Sequence, residues 1–180
     1  MNEINDENAL EKLKYALLHS HLKELDLSFN NIGTGGTRQV ATALTQISTL
    51  EHLNLTHCHI TSKGVHTLFQ VLAKNTRLKE LVADRNDFEG RRLRVLREFL
   101  QGNGGLQLLS LNQCNLGEEG ASYIAQGLYK NRRLRTLLLS NNSLGDRGLQ
   151  YLAECIGSSS LEHLDLSKNQ LSNAGVVVFA

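Results

Sequence analysis

One segment of eleven residues occurs six times along the chain. Its first copy, LKELDLSFNNI, runs from Leu22 to Ile32. The other copies begin at Leu50, Leu78, Leu106, Leu134 and Leu161, so successive copies start 28, 28, 28, 28 and 27 residues apart. Repeats of that length pack against their neighbours in a solenoid, because a single repeat cannot bury its own hydrophobic face. We therefore expect residues 22–180 to form one array of six repeats, the last of them truncated.

Each repeat is expected to contain a strand followed by a helix. In the first copy, the alternation of leucine with polar residues directs Leu25 and Leu27 into the core and leaves Glu24 and Asp26 outside, because successive side chains of a strand point to opposite faces. The second half of each repeat carries apolar residues at helical spacing, as in residues 64–72. The chain contains no proline that would interrupt these helices.

The ninth position of the repeat alternates between two small residue types. It is occupied by Asn30, Cys58, Asn86, Cys114, Asn142 and Asn169. A buried amide at the end of a strand can bond to the backbone groups that the turn leaves open, and a cysteine fills the same space. The third cysteine, Cys155, falls on the inward side of a predicted helix. Two of the three cysteines occupy a repeat position and the total is odd, which argues against a disulfide framework and favours a cytoplasmic protein.

Composition excludes several classes of partner. The formal net charge is +1, with 19 basic and 18 acidic side chains, so no overall field attracts nucleic acid or an anionic membrane. No apolar run reaches the roughly 18 residues that a membrane span needs. The first ten residues, MNEINDENAL, are acidic and polar, unlike a signal peptide. We expect a soluble intracellular protein with neither nucleic-acid nor membrane partners.

The two ends differ from the complete repeats. Residues 1–21 precede the first strand, and Leu10, Leu13 and Leu17 share one face of a predicted N-terminal helix, which is either a partial repeat or a cap. After Leu171 no polar closing unit is evident in the sequence. The chain is therefore interpreted as part of a longer array or as a protein whose uncapped ends associate with another copy.

The third repeat departs from the pattern. Ala83 replaces an inward leucine, and Arg92 stands where other repeats have a glycine such as Gly148. The same predicted helix carries further arginines at Arg94 and Arg97. A shifted or tilted helix is expected in this repeat. The arginines are interpreted as solvated helix surface, since no aromatic residues are interleaved for stacking on bases.

The 28-residue period, the alternation of asparagine with cysteine and the helical motif LGEEGASYIAQGL from Leu116 to Leu128 together resemble the ribonuclease-inhibitor class of leucine-rich repeats. This class includes the ribonuclease inhibitor, the sensor regions of NOD-like receptors and the Ran GTPase-activating protein. The resemblance implies an α/β solenoid, or horseshoe, with a parallel β-sheet on the concave face and α-helices on the convex face. It implies a non-enzymatic module for protein–protein interaction, as in a sensor or scaffold protein.

Two members of the class can be compared with this chain residue by residue. The ribonuclease inhibitor uses tryptophan and tyrosine anchors on its inner surface, whereas this chain has no tryptophan and no tyrosine in its predicted strands. Ran GTPase-activating proteins present an arginine from an early loop and end in an acidic tail. Arg85 occupies a comparable loop here, although no acidic tail follows. The alternative function is therefore a regulator that supplies Arg85 to a small GTPase.

The outward strand positions are mostly small and polar, with three apolar exceptions. Val82, Leu108 and Leu138 occupy successive strands and are predicted to form an apolar patch, because neighbouring strands lie about 4.8 Å apart. The polar rim of this patch is predicted to contain Asp84, Arg85, Asn112 and Gln113. An apolar centre with a polar rim is typical of a protein-binding surface, although single exposed leucines are also ordinary.

No cofactor, metal or catalytic site is predicted. His52, His57 and His59 lie close to Cys58 in the sequence, but the cysteine has a structural place in the repeat, and zinc requires about four converging ligands. The same histidines could instead make the surface sensitive to pH. The sequence contains no phosphate-binding glycine loop and no nucleophile elbow.

Overall fold

The computed structural model describes residues 12, 14–16, 18–88, 93–173 and 175. Within this part, strands and helices alternate along the chain. They are β1 (Glu24–Asp26), α1 (Gly33–Leu44), β2 (His52–Asn54), α2 (Ser62–Leu72), β3 (Glu80–Val82), α3 (Arg94–Gly102), β4 (Leu108–Ser110), α4 (Gly117–Leu128), β5 (Thr136–Leu138), α5 (Gly145–Ile156) and β6 (His163–Asp165). Residues 12, 14–16 and 18 are also helical, whereas Leu10, Leu13 and Leu17 lie outside the described residues.

The six strands form one parallel sheet in the order of the chain. The central residue of every strand is a leucine, and each pairs in register with the leucine of the next repeat, as Leu81 does with Leu109 and Leu109 with Leu137. The helices connect successive parallel strands. This arrangement confirms the predicted α/β solenoid and the repeated strand and helix of its sequence pattern.

The core lies between the sheet and the helices. Leu81, Leu109 and Leu137 are fully buried, as the alternation of leucines predicts. Phe69 of α2 packs against Phe99 of α3 with ring centroids 4.8 Å apart. The buried apolar side chains from Leu27 to Cys155 form one cluster, so the core is continuous along the array.

The asparagines of the ninth position cross-link neighbouring repeats. Nδ2 of Asn142 donates hydrogen bonds to the carbonyl oxygens of Leu111, Leu139 and Ser140 at 2.7, 3.0 and 3.3 Å. Its Oδ1 accepts from the backbone N–H of Cys114 at 2.8 Å. Asn86 and Asn169 make the corresponding bonds. The predicted role of the buried amide, which is to pair the backbone of the turn, is confirmed.

The cysteines of the same position keep part of this pattern. The Cys58 thiol donates to the Leu27 carbonyl at 3.1 Å, and the Cys114 thiol donates to the Ala83 carbonyl at 3.3 Å. Burial raises the pKa of Cys58 to about 11 and that of Cys114 to about 12. Cys155 is buried in α5, as predicted, and burial raises its pKa to about 11. All three cysteines are free thiols.

A second column of asparagines follows the helices and was not predicted from the sequence. Asn75, Asn103 and Asn131 recur at the 28-residue period. Nδ2 of Asn103 donates to the carbonyl oxygens of Leu72 and Asn75 at 2.6 and 2.8 Å, and its Oδ1 accepts two backbone N–H groups of its own turn. This column satisfies carbonyl groups at the carboxyl ends of the helices.

The helix of the third repeat is shorter than the helices of the other repeats. The helix α3 has nine residues, compared with 11 or 12 in the other four. Ala83, which replaces the inward leucine, is fully buried, and so is the larger Phe88 of the same repeat. Arg91 and Arg92 lie outside the described residues, so the expected shift at the start of this helix stays a prediction. No helix in the described ranges is long and apolar enough to cross a membrane.

Candidate partner-binding surface

The outward side chains of the strands form three rows across the sheet, which we call the sheet face. The first row contains Glu24, His52, Glu80, Leu108, Thr136 and His163, and the second contains Asp26, Asn54, Val82, Ser110, Leu138 and Asp165. The third row follows the strands and contains Ser28, Thr56, Asp84, Asn112, Ser140 and Ser167. Parallel register thus places side chains about 28 residues apart in the sequence next to one another.

The register brings the three apolar side chains together. Val82 and Leu138 pair with Ser110 from either side, and Leu108 precedes Ser110 by two residues on the same face of β4. Val82, Leu108 and Leu138 are each half-buried, whereas Ser110 between them is only 2% exposed. We call Val82, Leu108 and Leu138 the apolar triangle. Val82 and Leu138 therefore flank the small, buried Ser110, and Leu108 lies on the same face of β4; that a partner binds there stays a prediction.

Two of the predicted rim residues are held by hydrogen bonds within the sheet face. Oδ1 of Asp84 accepts from the Ser110 hydroxyl at 2.6 Å and from the Asn112 backbone N–H at 2.8 Å, and its Oδ2 accepts from Asn112 Nδ2 at 3.1 Å. Oδ1 of Asn112 in turn accepts from the Ser140 backbone N–H at 2.7 Å. This network fixes the orientation of Asp84 and Asn112 beside the apolar triangle.

The other two rim residues lie in the loops that follow the strands. Arg85 and Gln113 are exposed and have left-handed backbones, with φ of 54° and 55°. Their N–H groups donate to the carbonyls of Asn112 and Ser140 at 2.8 and 2.9 Å. Together with His57, they line a cleft of about 430 Å³. These two side chains therefore border the sheet face at the carboxyl ends of the strands.

His57 and His59, on either side of Cys58, also lie in the loop that follows a strand. The rings of His57 and His59 have centroids 5.0 Å apart, and Phe29 lies 5.5 Å from His57. Cys58 points inward and bonds to a backbone carbonyl, so its thiol does not face these rings. Among the residues that the structure describes, no group of three or more histidine, cysteine, aspartate and glutamate side chains is arranged to hold a metal ion.

The sheet face is acidic, a property that was not predicted from the sequence. Its eighteen positions contain five carboxylates and no lysine or arginine, although the whole chain has 19 basic residues. Hydrogen bonds from Ser28 hold the pKa of Asp26 below its ordinary value, and hydrogen bonds from Ser167 do the same for Asp165. Nδ1 of His52 lies 3.0 Å from Glu80 Oε2.

The structure also contains a groove on the helix side that no sequence signal indicated. It has a volume of about 860 Å³ and lies at the carboxyl ends of α1 and α2, where it also borders α3. Apolar residues of its lining include Ile47, Val71 and Val95, and Lys74 and Glu98 contribute charged groups. The spacing of packed helices creates this groove, so a pattern within single repeats does not reveal it.

The parallel strands, the packed helices and the buried asparagines of the ninth position define a repeat solenoid, and sequence comparison agrees. A family described as "Leucine Rich repeat" matches residues 19–38, 46–69, 106–125, 130–153 and 157–180. The chain belongs to the leucine-rich repeat family, and its relatives show that it is of the ribonuclease-inhibitor type.

Two curated relatives come from the mouse, Mus musculus. The "Ribonuclease inhibitor" is 34% identical over 159 residues, which cover 87% of this chain and 29% of the relative. "NACHT, LRR and PYD domains-containing protein 14" is 31% identical over 169 residues, which cover 92% of this chain and 14% of the relative. The chain thus spans less than a third of the length of either protein.

Solved structures support the same fold. The tropomodulin C-terminal domain of Caenorhabditis elegans matches with a TM-score of 0.64 at 15% identity, covering 83% of this chain and 92% of that domain. An internalin of Listeria monocytogenes matches with a TM-score of 0.50 at 17% identity, covering 88% of this chain and 46% of the internalin. Likeness at such low identity establishes the solenoid fold and nothing about partners.

Proposed function

We propose that this chain is a non-enzymatic protein-binding module whose partner docks on the sheet face around the apolar triangle. The observation that carries the proposal is the grouping of Val82, Leu108 and Leu138 around the buried Ser110. Half-exposed leucines gain hydrophobic burial when a partner covers them, and the surrounding polar side chains form a rim. Leucine-rich repeats commonly present such extended binding surfaces.

The rigidity of the sheet face supports this function. Asp84 and Asn112 are held by several hydrogen bonds. The asparagines of the ninth position fix the turns next to the loops that carry Arg85 and Gln113. Side chains that are already ordered lose little conformational entropy when a partner binds. A small apolar centre can therefore contribute effectively to affinity.

The proposal also includes the compartment of the protein. Three buried free thiols suit the reducing cytoplasm.

Capture of partners on the immobilised chain tests the sheet face. The test variant is Leu108→Ser with Leu138→Ser, which removes two corners of the apolar triangle without adding charge. The matched control is Tyr129→Ser, which removes a 60% exposed aromatic side chain next to α4 on the helix side. Proteins retained by the wild type and the control but lost by the test variant support the proposal. Equal retention by all three chains would place the binding surface elsewhere.

Arg85 supports the alternative function. Its side chain is exposed beside the cleft of about 430 Å³, and its backbone is fixed by the bond to the Asn112 carbonyl. An arginine supplied to a GTPase stabilises the charge of the transition state and accelerates hydrolysis about 10³- to 10⁵-fold. GTP hydrolysis by a panel of small GTPases should then rise with the wild type and not with Arg85→Ala. No acceleration by the wild type would leave the binding module as the function.

A further inference from the structure

We propose that the partner of the sheet face is a basic protein segment that places an apolar side chain on the apolar triangle and cationic side chains on both sides of it. This inference rests on the proposed function, because it specifies the chemistry of the partner at the same surface. It is carried by the positions of the carboxylates relative to Val82, Leu108 and Leu138.

Each corner of the apolar triangle has an acidic neighbour. Leu108 pairs in register with Glu80, and Leu138 pairs with Asp165. Val82 is followed by Asp84 two residues later on the same face. The carboxylates therefore surround the apolar centre and do not form a separate cluster.

The charges of the sheet face are not balanced by neighbouring cations on the face itself. Of its eighteen positions, none is lysine or arginine. Lys79 and Arg135, which border the strands at their amino ends, pair with Glu51 and Glu162. On the face, His52 lies next to Glu80 and His163 interacts electrostatically with Asp165, and a histidine is cationic only when protonated. Arg85 and Lys168 lie outside the eighteen positions, in the loops that follow β3 and β6, and Lys168 also interacts with Asp165. The face therefore attracts cations and repels phosphate groups and acidic segments.

The geometry specifies how the cations of the partner are spaced. Glu80 and Asp84 belong to the repeat of β3, and Asp165 lies in β6. Three strand spacings separate these positions, which is about 14 Å. An extended segment spans that distance with about four residues, and a helix spans it with about nine. The partner segment is thus expected to cross the strands, with basic residues at both ends of this span and an apolar residue between them.

Two features hold the acidic groups in place for such a partner. The hydrogen bonds from Ser110 and Asn112 orient Asp84. The backbone N–H of Ser167 donates to Asp165 Oδ1 at 2.9 Å. Asp84 and Asp165 are half-buried, as Leu108 and Leu138 are, so a docked partner reduces their contact with water and strengthens the attraction between opposite charges.

Selection from a library of random twelve-residue peptides displayed on phage tests the inference on the intact chain. Enriched peptides are expected to be net basic, with lysine or arginine on both sides of an apolar residue. Their synthetic versions should bind less tightly as the NaCl concentration rises from 0.05 to 0.5 M, because salt screens exposed charges. They should also lose binding to the Leu108→Ser, Leu138→Ser variant.

A variant with Glu80→Gln and Asp165→Asn isolates the charges, because both substitutions keep the size of the side chain. It should weaken the dissociation constant of the selected peptides by about five- to twentyfold, the effect of two exposed ion pairs. The control Glu118→Gln with Glu154→Gln removes two exposed carboxylates from α4 and α5 on the helix side and should leave affinity unchanged.

Each other outcome overturns a defined part of the argument. Peptides that are neutral or acidic, or basic peptides that bind equally to Glu80→Gln, Asp165→Asn, would overturn the basic partner. If such peptides still fail to bind the Leu108→Ser, Leu138→Ser variant, the sheet face remains the binding surface, but its partner is not a basic segment. Peptides that bind all variants equally, or no enrichment at all, would overturn both.

Discussion

The two sides of the sheet are made by the same strands under opposite constraints. Leu109 is fully buried, whereas Leu108, its neighbour in β4, is half-exposed on the sheet face. The inward central position is leucine in all six strands, but the outward position before it varies among glutamate, histidine, leucine and threonine. An inward side chain must fit the repeats on both sides of it, so it is confined to one shape. An outward side chain has no such partner, and binding specificity can therefore be located there.

The same comparison between the buried and the exposed side of the sheet can be made for two asparagines. Asn142 is buried and bonded to groups of both its own and the preceding repeat, while Asn112 lies half-buried on the sheet face and bonds to Asp84 and Ser140. Loss of a buried partner leaves unsatisfied backbone groups without water, whereas water can replace a partner at the surface. The interior is thus sensitive to changes that the sheet face tolerates.

The largest expected effect comes from shortening an inward leucine. Leu109→Ala should lower the free energy of unfolding by about 2–5 kcal/mol, because the interior keeps much of the resulting cavity. Leu108→Ala is the matched control and should lower it by less than about 1 kcal/mol. Urea denaturation followed by circular dichroism measures both. Similar midpoints for the two variants would contradict the assignment of inward and outward positions.

A smaller effect is expected from removing the buried amide of Asn142. Asn142→Ala leaves the Leu111 and Leu139 carbonyls and the Cys114 N–H without this partner and should lower the free energy of unfolding by about 1–3 kcal/mol. Asn142→Cys should cost less, because Cys58 and Cys114 occupy the same position and donate to equivalent carbonyls. Guanidinium denaturation compares the two. If Asn142→Ala lowers the free energy of unfolding less than Asn142→Cys does, the side-chain hydrogen bonds are not what makes asparagine or cysteine favourable at this position.

The smallest effect near neutral pH concerns the buried thiols. Their pKa values rise from 9.0 to about 11 for Cys58 and Cys155 and to about 12 for Cys114, because burial disfavours the thiolate. Above pH 9 the unfolded chain loses these protons and the folded chain keeps them, so stability should fall between about pH 9 and 11. Denaturation midpoints at pH 8, 9 and 10 measure this slope.

Alkylation by iodoacetamide gives an independent check of the same thiols. All three cysteines should resist the reagent in the native protein at pH 8 and react after unfolding, since the thiolate is the reactive form. Rapid modification of the native chain, detected by mass spectrometry, would mean that the core around these cysteines opens to solvent. A variant with all three cysteines changed to alanine should show a weaker slope of stability above pH 9.

The repeated interior made the fold predictable. Leucines at strand spacing and asparagine or cysteine at the ninth position recur at nearly constant intervals, and the structure places them in the core and at the turns. Asn75, Asn103 and Asn131 were missed although they recur as regularly, because they lie outside the segment that first defined the repeat. The grouping of Val82, Leu108 and Leu138 was predictable because it follows from the period alone.

The sequence by itself thus determined the solenoid, its strand order and the residues that face outward, because burial between identical neighbours imposes the same chemistry on every repeat. The tertiary structure alone decided how the outward residues combine. It showed that Ser110 is buried between Val82 and Leu138 and that Asp84 is bonded to Ser110 and Asn112. These relations depend on register and side-chain orientation between repeats, which no single repeat contains.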